Sequence, residues 1–218
     1  GALKAWSAGA EAPVEILAAK AHAGAVRALA TDALGRILAS IDGAEVLVAR
    51  IEVRGASAAL VEIGRRKVAG GAAVALDPAG QAIAIGCEDG LVRVLPVEGM
   101  AQAEAREMPM GESAVRAVAF TGDGRIVAGG ADGGVRLGFV EGDVEMTDRA
   151  GDAAHGAAVR GILMGPALVD EAGRELPRRA YSIGEDGALK AWLVDGRRKP
   201  RTLELPGGAL TAIAWVPP

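Results

Sequence analysis

Residues 154–161, AHGAAVRG, and 181–196, YSIGEDGALKAWLVDG, carry the pattern on which the fold turns. Around them the chain reads as an apolar run, a turn, a second apolar run, an Asp-Gly turn at Asp186 and Gly187, and a third apolar run. Short apolar runs punctuated by Gly, Pro and Asp are strands joined by tight turns. Gly supplies a positive φ at no steric cost, and Asp caps the turn with its own side chain.

The same order recurs upstream. SIDGAEVLVARI (40–51), GCEDGLVRVLPV (86–97) and GGADGGVRLGFV (129–140) precede GEDGALKAWLV (184–194). Their turn aspartates, Asp42, Asp89, Asp132 and Asp186, are 47, 43 and 54 residues apart, a spacing that marks a repeat architecture. An apolar run leads into each: AVRALATDALGRILAS (25–40), AAVALDPAGQAIAIG (72–86), AVRAVAFTGDGRIVAGG (114–130) and AAVRGILMGPAL (157–168). Each repeat is predicted to be a small antiparallel meander. The runs IVAGG, AIAIG and AVAF are apolar on both faces, as in a sheet covered on both sides. A helical reading fails because Gly or Pro every six to ten residues would limit any helix to about two turns.

This pattern resembles the WD-repeat family. Its repeat carries a Gly-His pair, an inner strand, a turn like Ser-Pro-Asp-Gly, a Ser-containing strand, an Asp turn and a Trp six residues later. The resemblance implies an all-β fold, a β-propeller of four-stranded blades. It assigns His155, Ser182, Asp186 and Trp192 to a hydrogen-bonded structural tetrad, in which the carboxylate accepts from imidazole and hydroxyl and a neighbouring strand supplies the indole N–H. Such a network would relieve the burial of polar groups between blades, each worth roughly 1–3 kcal/mol if unpaired. The other repeats depart from the pattern. The first keeps His22 and Asp42 with Val48 at the Trp position, and the second and third have Leu95 and Gly138 there. The resemblance covers nearly the whole chain, but only the repeat from His155 to Trp192 is strongly specific.

The N-terminal GALKAW is identical to residues 187–192, so Trp6 is expected on a third strand; GALTAIAWVPP (208–218), with Trp215, reads as an inner strand. The expected organisation is a single domain over 1–218: a half-blade at 1–18, blades at about 19–63, 64–108, 109–148 and 149–205, and the inner strand of a next blade at 206–218. This reads as an excerpt of a larger six- or seven-bladed propeller. Five-bladed closure, with the chain ends sharing one blade and hiding its edges, is the alternative. The longest interval contains PALVDEAGRELPRR (166–179), expected as a lengthened hairpin between the first two strands of the fourth repeat. A partner-specific protrusion is the sharper alternative.

Composition narrows the function classes. Half of the residues are hydrophobic but only 3% are aromatic, so the interior is built from Ala, Val, Leu and Ile. The 24 basic and 28 acidic residues are mixed along the chain, leaving no basic field for a nucleic acid backbone. No apolar stretch approaches the length of a membrane helix, so no membrane partner is expected. Cys87 has no Cys or His at metal-ligand spacing and reads as a small buried hydrophobe. The Gly clusters lack the Lys-Ser/Thr of a phosphate-cradling loop. Abundant Ala, Gly and Arg without any Asn suits a GC-rich bacterial genome, and a cytoplasmic location is expected.

Few residues are candidates for chemistry. His22 and His155, the only histidines, both precede an inner strand, where a catalyst would need a nucleophile or second base within reach. Glu88–Asp89 and Glu185–Asp186 are adjacent on bends and point different ways; the resemblance turns the Asp inward and presents Glu88 and Glu185 on one face. The AVR motif sets Arg27, Arg116 and Arg160 at corresponding positions, with Ala75 and Ala212 in the remaining repeats. Arginines alternating with turn carboxylates suit an acidic peptide; local pairing with those acids is the competing reading. The expectation is a non-catalytic protein–protein interaction scaffold, a module of a larger multidomain bacterial protein, with no catalytic residue, cofactor or metal. A small-ligand-binding or enzymatic propeller with its site in the central channel is the alternative.

Overall fold

The computed structural model describes residues 1–7, 14–139, 147–148, 155–166, 168, 170–176, 178–194, 201–205 and 207–214. Strands are the only long regular elements among them, and each apolar run of the repeat forms one. β1 (Ala2–Ser7) pairs with β2 (Val14–Lys20). Four sheets of four antiparallel strands follow, each built from consecutive strands. The first contains β3 (Ala28–Thr31), β4 (Ile37–Ile41), β5 (Glu45–Arg54) and β6 (Ser57–Lys67). The second contains β7 (Gly71–Leu76), β8 (Ala82–Cys87), β9 (Leu91–Pro96) and β10 (Arg106–Pro109). The third contains β11 (Val115–Phe120), β12 (Arg125–Gly130), β13 (Val135–Phe139) and β14 (Thr147–Asp148). The fourth contains β15 (Val159–Met164), β16 (Arg179–Gly184), β17 (Ala188–Leu193) and β18 (Arg201–Glu204).

The sheets stack face to face. β7 lies against β3 and β4, β11 against β7 and β8, and β15 against β11 and β12. A first strand sandwiched in this way buries both faces, which explains the absence of apolar–polar alternation. Ile41, Val46, Val48, Ile83, Ile85 and Leu95 fill the interface between the first two sheets, and Val92, Met108, Met110, Val118 and Ile126 the next. This all-β array is consistent with a β-propeller.

The Asp-Gly turns recur because the packing requires them. Gly90 and Gly133 have φ of 81° and 82°, and a Cβ on either would overlap a carbonyl oxygen of the following linker, that of Gly111 or of His155. The Gly90 carbonyl accepts the Met110 N–H at 2.9 Å, and the Gly133 carbonyl accepts the His155 N–H at the same distance. Each turn thus anchors the chain as it crosses to the next sheet.

Four expectations change. β6 runs to Lys67, past the expected boundary at residue 63. Residues 207–214 form no ladder, although a Cβ on Gly161 of β15 would meet Ile213 and the Leu210 N–H reaches the Gly184 carbonyl at 3.1 Å. The inner-strand expectation for 206–218 is corrected to that extent, and Trp215 lies outside the described residues. In β7 the residue corresponding to Arg27, Arg116 and Arg160 is Ala72, not Ala75, because a β-bulge sits there. In β5 the residue corresponding to Trp192 is Ala49, not Val48: Ala49 pairs with Leu38 as Trp192 pairs with Ala180. Counting from Asp42 fails because that Asp enters its turn two residues after Ser40, whereas Asp186 follows Ser182 by four.

The insertion is the short turn of the other sheets carried outward on a longer hairpin. Asp170 accepts the N–H groups of Ala172 and Arg174, each at 2.9 Å, as Asp32 accepts those of Arg36 and Ile37. Leu176 N–H bonds to the Leu168 carbonyl at 2.8 Å, closing the arm; residues 167, 169 and 177 lie outside the described residues.

Candidate functional site

In the fourth sheet β16 contributes Ser182, β17 contributes Trp192, the turn between them contributes Asp186, and the linker before β15 contributes His155. The structure brings all four together. Asp186 Oδ1 lies 2.9 Å from His155 Nδ1, Ser182 Oγ lies 2.8 Å from His155 Nε2, and Trp192 Nε1 donates to Ser182 Oγ at 2.7 Å. One proton arrangement satisfies every atom: Nδ1–H donates to the carboxylate, Nε2 accepts from the serine hydroxyl, and that oxygen accepts from the indole. Asp186 also accepts the N–H groups of Gly156 at 2.8 Å and Ala188 at 3.1 Å. Burial pushes its carboxyl up, but the bonds from His155, Gly156 and Ala188 outweigh that and hold it below the usual carboxylate range. The imidazole is buried and every polar atom of the network faces another, so no nucleophile is presented to solvent.

The first sheet holds an abbreviated version. His22 Nε2 lies 2.8 Å from Ser40 Oγ, but Nδ1 is 3.8 Å from Asp42 and has no hydrogen-bond partner. Burial lowers the His22 pKa against the pull of Asp42. Asp42 is occupied by the N–H groups of Ala44, Gly24 and Glu45, which hold its carboxyl low.

The second and third sheets use a different device, which sequence reasoning missed. Val68, Ile85 and Leu95 in one, and Met110, Ala128 and Gly138 in the other, stand where His155, Ser182 and Trp192 stand in the fourth sheet. Their turn aspartates pair instead with the arginine four residues on: Arg93 with Asp89 at 2.7 Å and Arg136 with Asp132 at 2.6 Å. The guanidinium lowers each carboxyl. The signal was present as the Asp-Gly-x-x-Arg of DGLVR (89–93) and DGGVR (132–136).

The conserved geometry of the first-strand bulge carries the candidate rim. Arg116 and Arg160 each occupy the bulge residue of their strand, and Arg27 immediately precedes the first paired residue of β3. Arg27 reaches across to Glu88 of the next sheet at 2.9 Å. Arg160 Nε donates to Glu185 of its own sheet at 2.7 Å. Arg116 is exposed and makes no hydrogen bond or ion pair among the described residues. Ala131 stands immediately before Asp132, where the second and fourth sheets have Glu88 and Glu185. Among the described residues the five therefore form two neutralised pairs and one free cation.

Elsewhere, Cys87 is fully buried and burial pushes its thiol up. Among the described residues no group of three or more His, Cys, Asp or Glu is placed to hold a metal ion, and no helix is long and apolar enough to cross a membrane.

Stacked four-stranded meanders joined through their Asp-Gly turns are consistent with a WD-repeat array. Residues 107–137 match the family model described as WD domain, G-beta repeat, which supports the WD-repeat resemblance. The match begins in β10 and ends within β13, so the sequence repeat is staggered against the sheets: it takes its first strand from one and the next three from the following one. No curated protein matches the chain.

Proposed function

We propose that this chain is a non-catalytic interaction scaffold that presents the rim formed by Arg27, Arg116, Arg160, Glu88 and Glu185 to a protein or peptide partner. WD repeats commonly mediate protein–protein interaction, and a stacked β array supplies the rigidity that keeps such a surface pre-organised. The observation that carries the reading is Arg116, an exposed guanidinium without a partner among the described residues, in a rim whose other two arginines are already paired. An unpaired guanidinium suits a carboxylate on a partner, which it can bind bidentately. The chemistry-bearing side chains that converge elsewhere, His155, Ser182, Asp186 and Trp192, are consumed by one another.

The test is affinity capture from native lysate, comparing the chain with a variant carrying Arg27→Glu, Arg116→Glu and Arg160→Glu. A protein retained by the first and lost by the second, with both melting alike, supports the rim. Retention by both to the same extent sinks it.

A further inference from the structure

The three interfaces between stacked sheets repeat one contact. A Cβ on Gly71 of the second sheet would meet Ile41 of the first, one on Gly86 of the second would meet Val115 of the third, and one on Gly129 of the third would meet Val159 of the fourth. Ile41, Gly86 and Gly129 are matching positions, paired with Ala28, Ala73 and Ala117. Gly71, Val115 and Val159 match as well, each preceding the bulge of its strand. The rim residues above these contacts therefore correspond across each interface: Arg27 with Glu88, Ala72 with Ala131, and Arg116 with Glu185. Their identities agree, since Arg meets Glu twice and Ala meets Ala once.

Arg27 shows what this geometry allows, since it reaches Glu88 of the next sheet at 2.9 Å. Arg116 faces Glu185 by the same relationship, yet Glu185 is held by Arg160 of its own sheet, whose two bonds both go to Oε1. Glu88 meets no such rival, because the position matching Arg160 in its sheet is Ala72. Glu185 is thus one carboxylate between two arginines, and Arg160 has it.

We propose that Arg160 is a positioning residue: it holds Glu185 off Arg116 and so keeps that guanidinium open to a carboxylate of the partner. This rests on the rim being the docking surface. Glu185 is a built-in competitor for the partner's acid, tethered beside Arg116 and therefore present at high effective concentration. Whatever keeps Glu185 on Arg160 raises the affinity of Arg116 for an incoming acid, since a ligand gains only from the state in which its site is vacant. Arg160 acts through Glu185 and needs no contact with the partner.

The test reads geometry and affinity separately. Both side chains are exposed, so substitutions at either leave folding intact. In a crystal structure of Arg160→Met, the Glu185 carboxylate is expected on Arg116 at ion-pair distance. Affinity is read from NMR shifts of the backbone amides of Val115–Ala117 in the whole chain. Two probes are titrated: acetyl-Gly-Glu-Gly-amide, whose acid is a side chain, and acetyl-Gly-Gly-Gly, whose acid is its C-terminus. Binding of one probe alone names the source of the acid, and binding of both shows that a carboxylate suffices. Arg160→Met should weaken binding by up to about fivefold, the scale of one exposed ion pair. Adding Glu185→Gln should restore it to at least the wild-type value. The proposal is overturned if Glu185 stays clear of Arg116 in Arg160→Met. It is equally overturned if Glu185→Gln fails to restore binding, which would give Arg160 a direct contact with the probe and leave the rim standing. Failure of the rim itself looks different: wild-type shifts are then absent, or survive Arg116→Met, and the proposal falls with it.

Discussion

Arg136 closes on Asp132 at 2.6 Å in a sheet whose partner positions for that carboxylate are Met110, Ala128 and Gly138. In the fourth sheet the equivalent carboxylate, Asp186, faces His155 and, through it, Ser182 and Trp192. The turn aspartate is the constant element, because its carboxylate caps the N–H two residues on in each four-stranded sheet: Ala44, Leu91, Gly134 and Ala188. What neutralises it varies. A buried tetrad gives directional bonds inside the stack, whereas an Asp–Arg pair keeps its charges partly in water and leaves the interior to aliphatic side chains.

The two devices should differ in energetic weight. Ser182→Ala leaves His155 Nε2 and the Trp192 N–H each without a partner, at a cost of about 1–3 kcal/mol. In a chain of this size that corresponds to a fall in melting temperature of roughly 2–4 °C per kcal/mol. Ser40→Ala, which releases only His22, should cost less. Thermal melts of the two variants side by side check the order, and equal shifts would refute it.

Arg136→Leu removes the partner of an aspartate whose side chain is 37% exposed. Water screens that charge, so the expected loss is below about 1 kcal/mol. It should shrink further when denaturant titrations are repeated in 1 M salt, where screening reaches within about 3 Å. A loss larger than that of Ser182→Ala would show that the ion pair, and not the aliphatic packing around it, holds the third sheet in place.

Acid should unfold the chain through its turn carboxylates. Burial pushes Asp32 up, but bonds from Ile37 and Arg36 outweigh it, and Arg125 holds Asp123 down at about 2. A carboxyl lowered in the folded state contributes stability that is present above its unfolded value of 3.8 and is lost as pH falls through the folded value. Melting temperature is therefore expected to fall steeply below about pH 4. Asp123→Asn should remove part of that limb, and an unchanged acid profile would contradict the assignment.

His22 should act in a higher window and in the same direction. Its folded pKa lies below 6.5, so the unfolded chain takes up the proton first, and stability is lost as pH falls from 6.5 towards the folded value. His22→Gln, which cannot be protonated there, is expected to flatten the melting curve between pH 7 and pH 5. If both proteins keep the same slope, the titrating group lies elsewhere.

Most of the architecture was legible because it rests on residues with strict requirements. The Asp-Gly turns need a left-handed glycine where the next linker crosses, and His155, Ser182, Asp186 and Trp192 have few other ways to satisfy their polar atoms in a buried stack. Details that rest on aliphatic residues were not legible. In AAVAL the alanines are alike, and Ala72 is fixed only by setting AVAL (73–76) against AVAF (117–120); the bulge that the three strands share leaves no mark in composition. The same holds for Ala49 and Val48, where a turn one residue shorter moves the count. The pairing of Arg27 with Glu88 joins different sheets across 61 positions, so only the stacking reveals it.

The rim arginines should not contribute equally to a partner's retention. Arg27 and Arg160 meet an incoming carboxylate only by releasing Glu88 or Glu185, whereas Arg116 has no acid to release among the described residues. Arg116→Glu is therefore expected to lower retention on the order of tenfold at low salt, with a smaller effect at high salt, as for any rim charge. Arg27→Glu should do less to the attraction it offers and more to its own surroundings, since it places two carboxylates side by side. Glu88→Gln is the decisive companion: it frees Arg27 without adding an acid, and quantitative mass spectrometry of the captured partner should show retention rising. A fall with Glu88→Gln would mean that the partner reads the acid at that position and not the arginine beside it.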